Sequence, residues 1–512
     1  MVLPLRRPVA SALAGVIALT AVGCAQESSA ELDDDTELAD APEAPDAEEA
    51  PTPGPCDDEQ DGLRSLLIGA IDRQEDEPSA GADGVDDPYY PQTGNGGYDV
   101  AHYELDLTWD PERDRLDGVA TIGAVATQAL SSFNLDLIGL EVSEAAVNGE
   151  PATAEPEGER DLVVTPAEPL AADEEFTVGI TYGGEPAPLR GQLSELGGWQ
   201  SDGEEVFVAS EPDGAATFFP SNDHPSDKAS YDLRITAPAD QTVVANGTLD
   251  CTTDNDDGTR TWEFDAPEPM ASYLVQVGIG NLRVEESTSP DGVPIRHAID
   301  EDVYENGLAS MEGTGEMIDY FAELFGPYPF EVYGGLVVDD DLGFALETQT
   351  LVLFPPGVDQ SFTSHELAHQ WFGDHVSPAT WQDIWLNEGF ATYAEWMWLD
   401  HADLLPLETS VESGAEYGSL IDLPPADPGA DDLFAATVYV RGAMTLHVLR
   451  DELGDDAFFG LLRDWVEQYG GSSASTADFE AMANEAAGTD LSPLFDAWLR
   501  SDELPSLEDW LG

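Results

Sequence analysis

The stretch Ser364-His365-Glu366-Leu367-Ala368-His369-Gln370-Trp371-Phe372 decides how this chain is read. On a helix, residues four apart share a face, so His365 and His369 can aim two imidazoles at one cation, with Glu366 beside them. The chain has eight histidines, and a chance H-E-x-x-H among them is on the order of one in a hundred. Two surface histidines on an amphipathic helix would show the same spacing, so a third ligand has to be found. Trp385-Leu386-Asn387-Glu388-Gly389-Phe390-Ala391 supplies it, with Glu388 placed eighteen intervening residues after His369. Ala391 to Leu399 is apolar and aromatic enough for a second buried helix. Gly373 and Pro378 in the connection turn the chain back, so that Glu388 faces the pair. Two imidazoles and one carboxylate leave a fourth zinc position for water, the open arrangement of a catalytic site. The set predicts one Zn²⁺ per chain, with Glu366 as general base.

Together these motifs resemble the gluzincin zinc aminopeptidase family, the aminopeptidase N and leukotriene hydrolase type, in a short bacterial exported form. Three further segments carry the resemblance. Gly343-Phe344-Ala345-Leu346-Glu347-Thr348 resembles the family's G-A-M-E-N exopeptidase motif, and Val438-Tyr439-Val440-Arg441-Gly442-Ala443 resembles the segment with its catalytic tyrosine. Ser210 to Ala215 and Phe219 to Pro225 resemble the β-domain loop that reaches the site. The resemblance covers about Tyr89 to the C-terminus. It implies a multidomain α+β fold: a saddle-like N-terminal antiparallel β-sheet domain, then a thermolysin-like, mostly helical zinc metallopeptidase domain. It also implies Tyr439 as oxyanion donor, Glu347 as the carboxylate for a substrate's free α-ammonium, and Glu211 and Ala345 as further substrate-binding positions.

Departures bear on specificity. Phe344, Leu346 and Thr348 replace Gly, Met and Asn of the motif, which leaves side-chain preference open. Ala209 stands where some relatives carry a Gln for the amino terminus, which shifts that task to Glu347 and Glu211. The chain ends at Gly512, so the resemblance implies that the large C-terminal helical domain of some relatives is missing and the cleft is more open.

Around the site, pattern assigns the elements. Tyr103, Leu105, Leu107 and Trp109 alternate with polar residues, as do Phe176, Val178, Ile180 and Tyr182, and both runs read as half-buried strands. Runs at Gln241 to Asn246, Thr261 to Phe264 and Tyr273 to Ile279 complete an antiparallel β domain over residues 89–290. In 291–512 the period becomes helical. Met317, Phe321, Leu324 and Phe325 share a face that Gly326-Pro327 ends. Ala457 to Gln468, Thr476 to Ala487 and Pro493 to Arg500 read as helices, the last capped by Ser492. Val332 to Val338 and Ala345 to Phe354 read as strands, and the run from Leu346 to Phe354 as an exposed edge to which a peptide could add. Asp383 or Asp374 is expected behind the zinc histidines. His375, His224 and His297 read as structural, and Trp371, Phe372, Trp381 and Trp385 as core.

Arg6 and Arg7 precede a short apolar run that suits a secretory leader over 1–23. It ends Ala21-Val22-Gly23-Cys24, which resembles a bacterial lipobox with Cys24 as the lipidated residue; ordinary secretion is the alternative. Residues 24–88 are dense in Asp, Glu, Ala, Pro and Ser and read as a disordered acidic linker. Cys56 and Cys251 either pair in an oxidising compartment or stay free. The 17 Lys plus Arg against 105 Asp plus Glu give a net charge of −88, which excludes nucleic acid as a general partner. Lys228 is the only lysine. Such acidity fits a salty habitat, where screening shortens self-repulsion, or serves solubility alone.

The expected function is removal of N-terminal residues from peptides with a free amino terminus. The protein would be exported and held at the outer face of the cell membrane by a lipid anchor alone, or secreted. The alternatives are a zinc endopeptidase and a non-catalytic surface lipoprotein that binds peptides; oligomeric state is left open.

Overall fold

The computed structural model describes residues 54, 56, 77–189, 197–203, 205–418 and 423–510. Cys24, the leader and most of the linker lie outside the described residues. The first half is built on an eight-stranded sheet, ordered Thr248–Asp254, Thr259–Ala271, Lys228–Pro238, Tyr98–Asp110, Arg115–Ala126, Glu175–Gly184, Glu141–Val147 and Glu150–Pro151. Alternation decides its faces: Tyr103, Leu105, Leu107 and Trp109 are all buried while their neighbours reach outward. The expectation of a wholly antiparallel domain is corrected in the middle of this sheet. Lys228–Pro238 runs parallel to Tyr98–Asp110, with Leu233 opposite Leu105, because the long connection between them returns the chain in the same direction.

Two four-stranded sheets flank it. One contains Gly198–Ser201, Val206–Ala209, Val277–Gly280 and Thr242–Ala245. The strand expected from Tyr273 to Ile279 is split, since Ser272–Leu274 forms a 3₁₀ turn before Val277–Gly280. The other contains Ser79–Ala80, paired with Leu130–Asp136. That pairing corrects the end of the expected linker. Asp87 is also buried, accepting from the amides of Tyr89, Tyr90 and Trp381 and facing His224 Nε2 at 3.1 Å. Cys56 and Cys251 are joined in a disulfide.

In the second half, Leu282–Thr288, Pro294–Asp300, Gly335–Val337 and Val352–Phe354 form a sheet. Its first strand precedes residue 291, so the change of sheet comes ahead of that boundary. The expected strand from Ala345 to Phe354 is a hairpin instead: Leu346 exchanges both backbone bonds with Leu353, and Thr350 turns the chain at φ 62°. Val352–Phe354 is the edge strand of its sheet, as expected, but Leu346 to Phe354 are all buried, so that edge is not exposed. Helix Tyr304–Ser310 lies against Pro294–Asp300 of that sheet, while Thr314–Phe325, Gln360–His369, Trp385–His401, Ala436–Leu453, Asp455–Tyr469 and Thr476–Ala487 pack on one another. Ser492 opens its helix and is not its cap, and the segment expected as one helix is Ser492–Phe495 followed by a π turn, Asp496–Arg500.

Candidate active site

Helix Gln360–His369 starts where the Asp359 side chain accepts from Ser361 N at 3.0 Å, a cap that satisfies one of the free donors of the first turn. Gly373, at φ 127°, reverses the chain; a Cβ there would lie 3.3 Å from His369 Nδ1, so bulk is excluded beside the ring. Helix Trp385–His401 then returns with Glu388 in its first turn. Its Gly389 meets Gly442 of helix Ala436–Leu453 so closely that a Cβ on Gly389 would stand 2.8 Å from Gly442 Cα. The two helices therefore touch backbone to backbone. Tyr439, one turn before Gly442, lies with its ring nearly parallel to that of His365, centroids 5.9 Å apart.

His365 Nε2 lies 3.2 Å and His369 Nε2 3.5 Å from the same oxygen, Glu388 Oε2. Two ligands each about 2.05 Å from a tetrahedral zinc ion are separated by about 3.3 Å, so these spacings fit the ion without rearrangement. The far side of each ring is also held. His365 Nδ1 is 3.4 Å from Glu395 Oε2, and His369 Nδ1 is 3.0 Å from the Phe372 carbonyl. An acceptor at Nδ1 keeps the proton there and leaves the Nε2 lone pair toward Glu388. Burial disfavours charge on His365, but Glu388 and Glu395 outweigh it and raise its pKa. Burial likewise pushes Glu388 upward, and the facing His369 and His365 overcome it, holding the carboxyl at about 2. All three residues are buried.

Three more carboxylates converge here. Oxygens of Glu347 and Glu366 and a nitrogen of His369 lie within 4.8 Å of one another, and so do oxygens of Glu211, Glu347 and Glu388. Burial, opposed by His365 and His369, pushes Glu366 up to about 8. Burial and then Glu347 raise Glu211, and burial raises Glu347 against the pull of His369. Glu211 Oε1 and Glu347 Oε1 are buried with no hydrogen-bond partner among the described residues. Burial also keeps the Tyr439 hydroxyl protonated, its pKa raised well above the usual value.

The structure thus brings His365, His369, Glu388, Glu366, Glu347, Glu211 and Tyr439 to one place. Ala345 is half-buried on the segment leading into the hairpin. Neither aspartate expected behind the histidines is there. Asp383 accepts from Thr476 N, Thr476 Oγ1 and Thr380 Oγ1, holding the start of a helix, and Asp374 accepts from Gln370 Nε2 at 2.6 Å. Glu395 and a backbone carbonyl take that role instead. Glu395 was legible in principle, since it lies seven residues after Glu388 and two helical turns share a face. The carbonyl carries no sequence signal. His224, His297 and His375 lie outside the cluster: His224 bonds Ser226 and Asp87, His297 Nδ1 accepts from Gly335 N, and His375 packs edge-on against Phe330. Trp371, Phe372, Trp381 and Trp385 are core. Lys228 Nζ donates to the carbonyls of Asp374 and His375, pinning the loop behind the site, and burial lowers its pKa to about 7.

Comparison with known proteins agrees with this geometry. Residues 309–498 match the peptidase family M1 domain and residues 100–274 the peptidase M1 N-terminal domain. The chain is similar to the M1 zinc metallopeptidase of Deinococcus radiodurans, with 32% identity and a TM-score of 0.79 over 84% of this chain and 99% of that one. It is 25% identical to glutamyl aminopeptidase of Mus musculus, over 78% of this chain and 46% of the mouse protein. It is 27% identical to probable aminopeptidase 1 of Sulfurisphaera tokodaii, over 72% of this chain and 49% of that protein. The chain spans about half the length of these curated relatives.

Proposed function

The chain belongs to peptidase family M1, and from that premise we propose that it is a zinc-dependent aminopeptidase, which hydrolyses the first peptide bond of substrates with a free amino terminus. The observation that carries this reading is that Glu211 and Glu347, which bring carboxylate oxygens within 4.8 Å of each other and of Glu388, each keep a buried oxygen with no hydrogen-bond partner among the described residues. Buried acceptors without donors are costly. An α-ammonium, with a pKa of about 8 and three donors, satisfies both and draws charge away from two carboxylates that otherwise repel.

His365 Nε2, His369 Nε2 and Glu388 would hold the zinc ion, which supplies Lewis acidity for the scissile carbonyl and makes water acidic near neutral pH. Glu366, one residue from His365, takes the proton of the attacking water and returns it to the leaving amine. Tyr439, kept protonated by burial, donates its hydroxyl to the developing oxyanion. Glu347 and Glu211 hold the amino terminus, so the bond presented for attack is the first one.

The test compares aminoacyl amides and short peptides with their N-acetylated forms, with and without chelator. Turnover of free-amine substrates alone, lost with chelator and restored by zinc, supports the reading. Equal cleavage of the acetylated forms would show an endopeptidase, and binding without turnover a peptide clamp. Export belongs to the same proposal: the Cys56–Cys251 disulfide favours an oxidising compartment, which fits the leader and the lipobox-like Cys24. Palmitate labelling of the expressed protein, lost in Cys24→Ser, tests the anchor. We further propose that the charge of −88 makes the fold salt-dependent, which a rise in Tm between 0.1 M and 2 M salt, about the range over which screening becomes short, would support.

A further inference from the structure

The two carboxylates assigned to the amino terminus come from opposite halves of the chain. Glu211 follows strand Val206–Ala209, and Glu347 lies in the hairpin closed by Leu346 and Leu353. With Glu211 Oε1 and Glu347 Oε1 both lacking partners among the described residues, their spacing is decided by the two backbones. Both backbones lead to one buried residue, Gln276, which has no exposed surface.

Gln276 Oε1 accepts from Val208 N at 2.8 Å, and its Nε2 donates to Val208 O at 2.8 Å and to Thr348 Oγ1 at 3.3 Å. Val208 is three residues before Glu211, and Thr348 is next to Glu347. The side chain replaces a missing ladder: Val206–Ala209 pairs with Val277–Gly280 at a single position, Val206 opposite Ile279, and beyond it the Gln276 carboxamide stands where a neighbouring backbone would. A second amide reinforces the link. Gln276 N donates to Asn246 Oδ1 at 2.6 Å, Asn246 Nδ2 donates to Gln349 O at 2.5 Å, and Gly247 N donates to Thr350 Oγ1 at 2.8 Å. From the zinc-helix side, Gln370 Nε2 donates to Glu347 O at 3.3 Å and Gln370 Oε1 accepts from Thr350 N at 2.9 Å. A planar amide with one acceptor and two donors, all used, fixes the chains it joins in distance and direction.

We propose that Gln276 is a positioning residue for amino-terminus recognition. Its carboxamide sets the spacing of Glu211 and Glu347, and with it the place of the substrate ammonium relative to His365, His369 and Glu388. The inference rests on the aminopeptidase reading above.

The test measures the affinity of the zinc-loaded protein for two zinc-binding probes: leucine hydroxamate, which carries an α-ammonium, and acetohydroxamate, which does not. In Gln276→Leu, leucine hydroxamate is expected to bind about tenfold more weakly, and acetohydroxamate within about twofold of the parent. KM for aminoacyl amides should rise more than kcat falls. Thr348→Val removes the Thr348 end of the link and is expected to weaken leucine hydroxamate by about threefold, again sparing acetohydroxamate. It carries the test should the first variant fail to fold. Equal weakening of both probes, as a general loosening of the fold would produce, overturns the proposal, and so does no weakening of either. If the parent itself binds the two probes alike, the aminopeptidase reading fails and this inference with it.

Discussion

Glu395 provides the sharpest test of how the imidazoles are held. Its Oε2 lies 3.4 Å from His365 Nδ1, its Oε1 accepts from Ser361 Oγ, and its side chain is only 12% exposed, so solvent screens the pair little. Removing the carboxylate frees the His365 ring to rotate and lowers the basicity of its Nε2. Changes of this kind cost about 10- to 100-fold in metal affinity, or about 1.4–2.8 kcal/mol. Glu395→Ala is expected to show the full loss. Glu395→Gln keeps an oxygen able to accept from Nδ1 but lacks the charge, and should fall between it and the parent. The assay is competition for zinc against a chromophoric chelator at fixed pH, with circular dichroism to show that each variant is folded. Zinc affinity in Glu395→Ala within about twofold of the parent would refute the argument. Loss in Glu395→Gln as large as in Glu395→Ala would show that charge alone matters and ring orientation does not.

Other expectations concern the chemistry and the fold. Glu366→Gln should bind zinc in unchanged stoichiometry by metal analysis, while kcat/KM drops about 10²- to 10⁴-fold; unchanged turnover would remove the assigned base. Tyr439→Phe should lower kcat about 10²- to 10³-fold with little change in KM, since the hydroxyl bonds what exists only in the transition state. Glu331 is pushed up to about 8 by burial and by the neighbouring carboxyl of Glu268, and both of its oxygens are buried without a hydrogen-bond partner among the described residues. Asp265 and Glu268 add negative charge there, and Arg296 faces it as the cation. Between about 4.5 and 8 the folded protein therefore keeps a proton that the unfolded chain releases, so this group's contribution to stability falls as pH rises through that window and levels off above it. The Tm of Glu331→Gln should decline less from pH 5 to 8 than the parent's; parallel declines would contradict the assignment.

Much of the site was readable along the chain because its logic is local. Helical periodicity puts His365 and His369 on one face, and a second apolar helix after a Gly- and Pro-containing turn places Glu388 opposite them. The helices from Thr314 and Thr476 were legible for the same reason: a 3.6-residue apolar stripe bounded by caps is a property of a dozen neighbouring residues. Glu347, Glu211 and Tyr439 could be named only through a resemblance. In a chain with 105 acidic residues, no local pattern distinguishes a carboxylate in a cleft from one in water.

What the sequence determined by itself was therefore the pair of zinc-facing helices, the alternating strands of the first half, and an extreme surface charge. Which distant groups meet was settled by how the folded chain packs. Glu395 and the Phe372 carbonyl, not Asp374 or Asp383, back the imidazoles; Cys56 pairs with Cys251; the hairpin at 346–353 replaces a strand; and Gln276 ties one half to the other. Each of these depends on long-range closure, where the partner is selected by packing and by the need to satisfy every buried polar group, and neither is encoded in the spacing of adjacent residues.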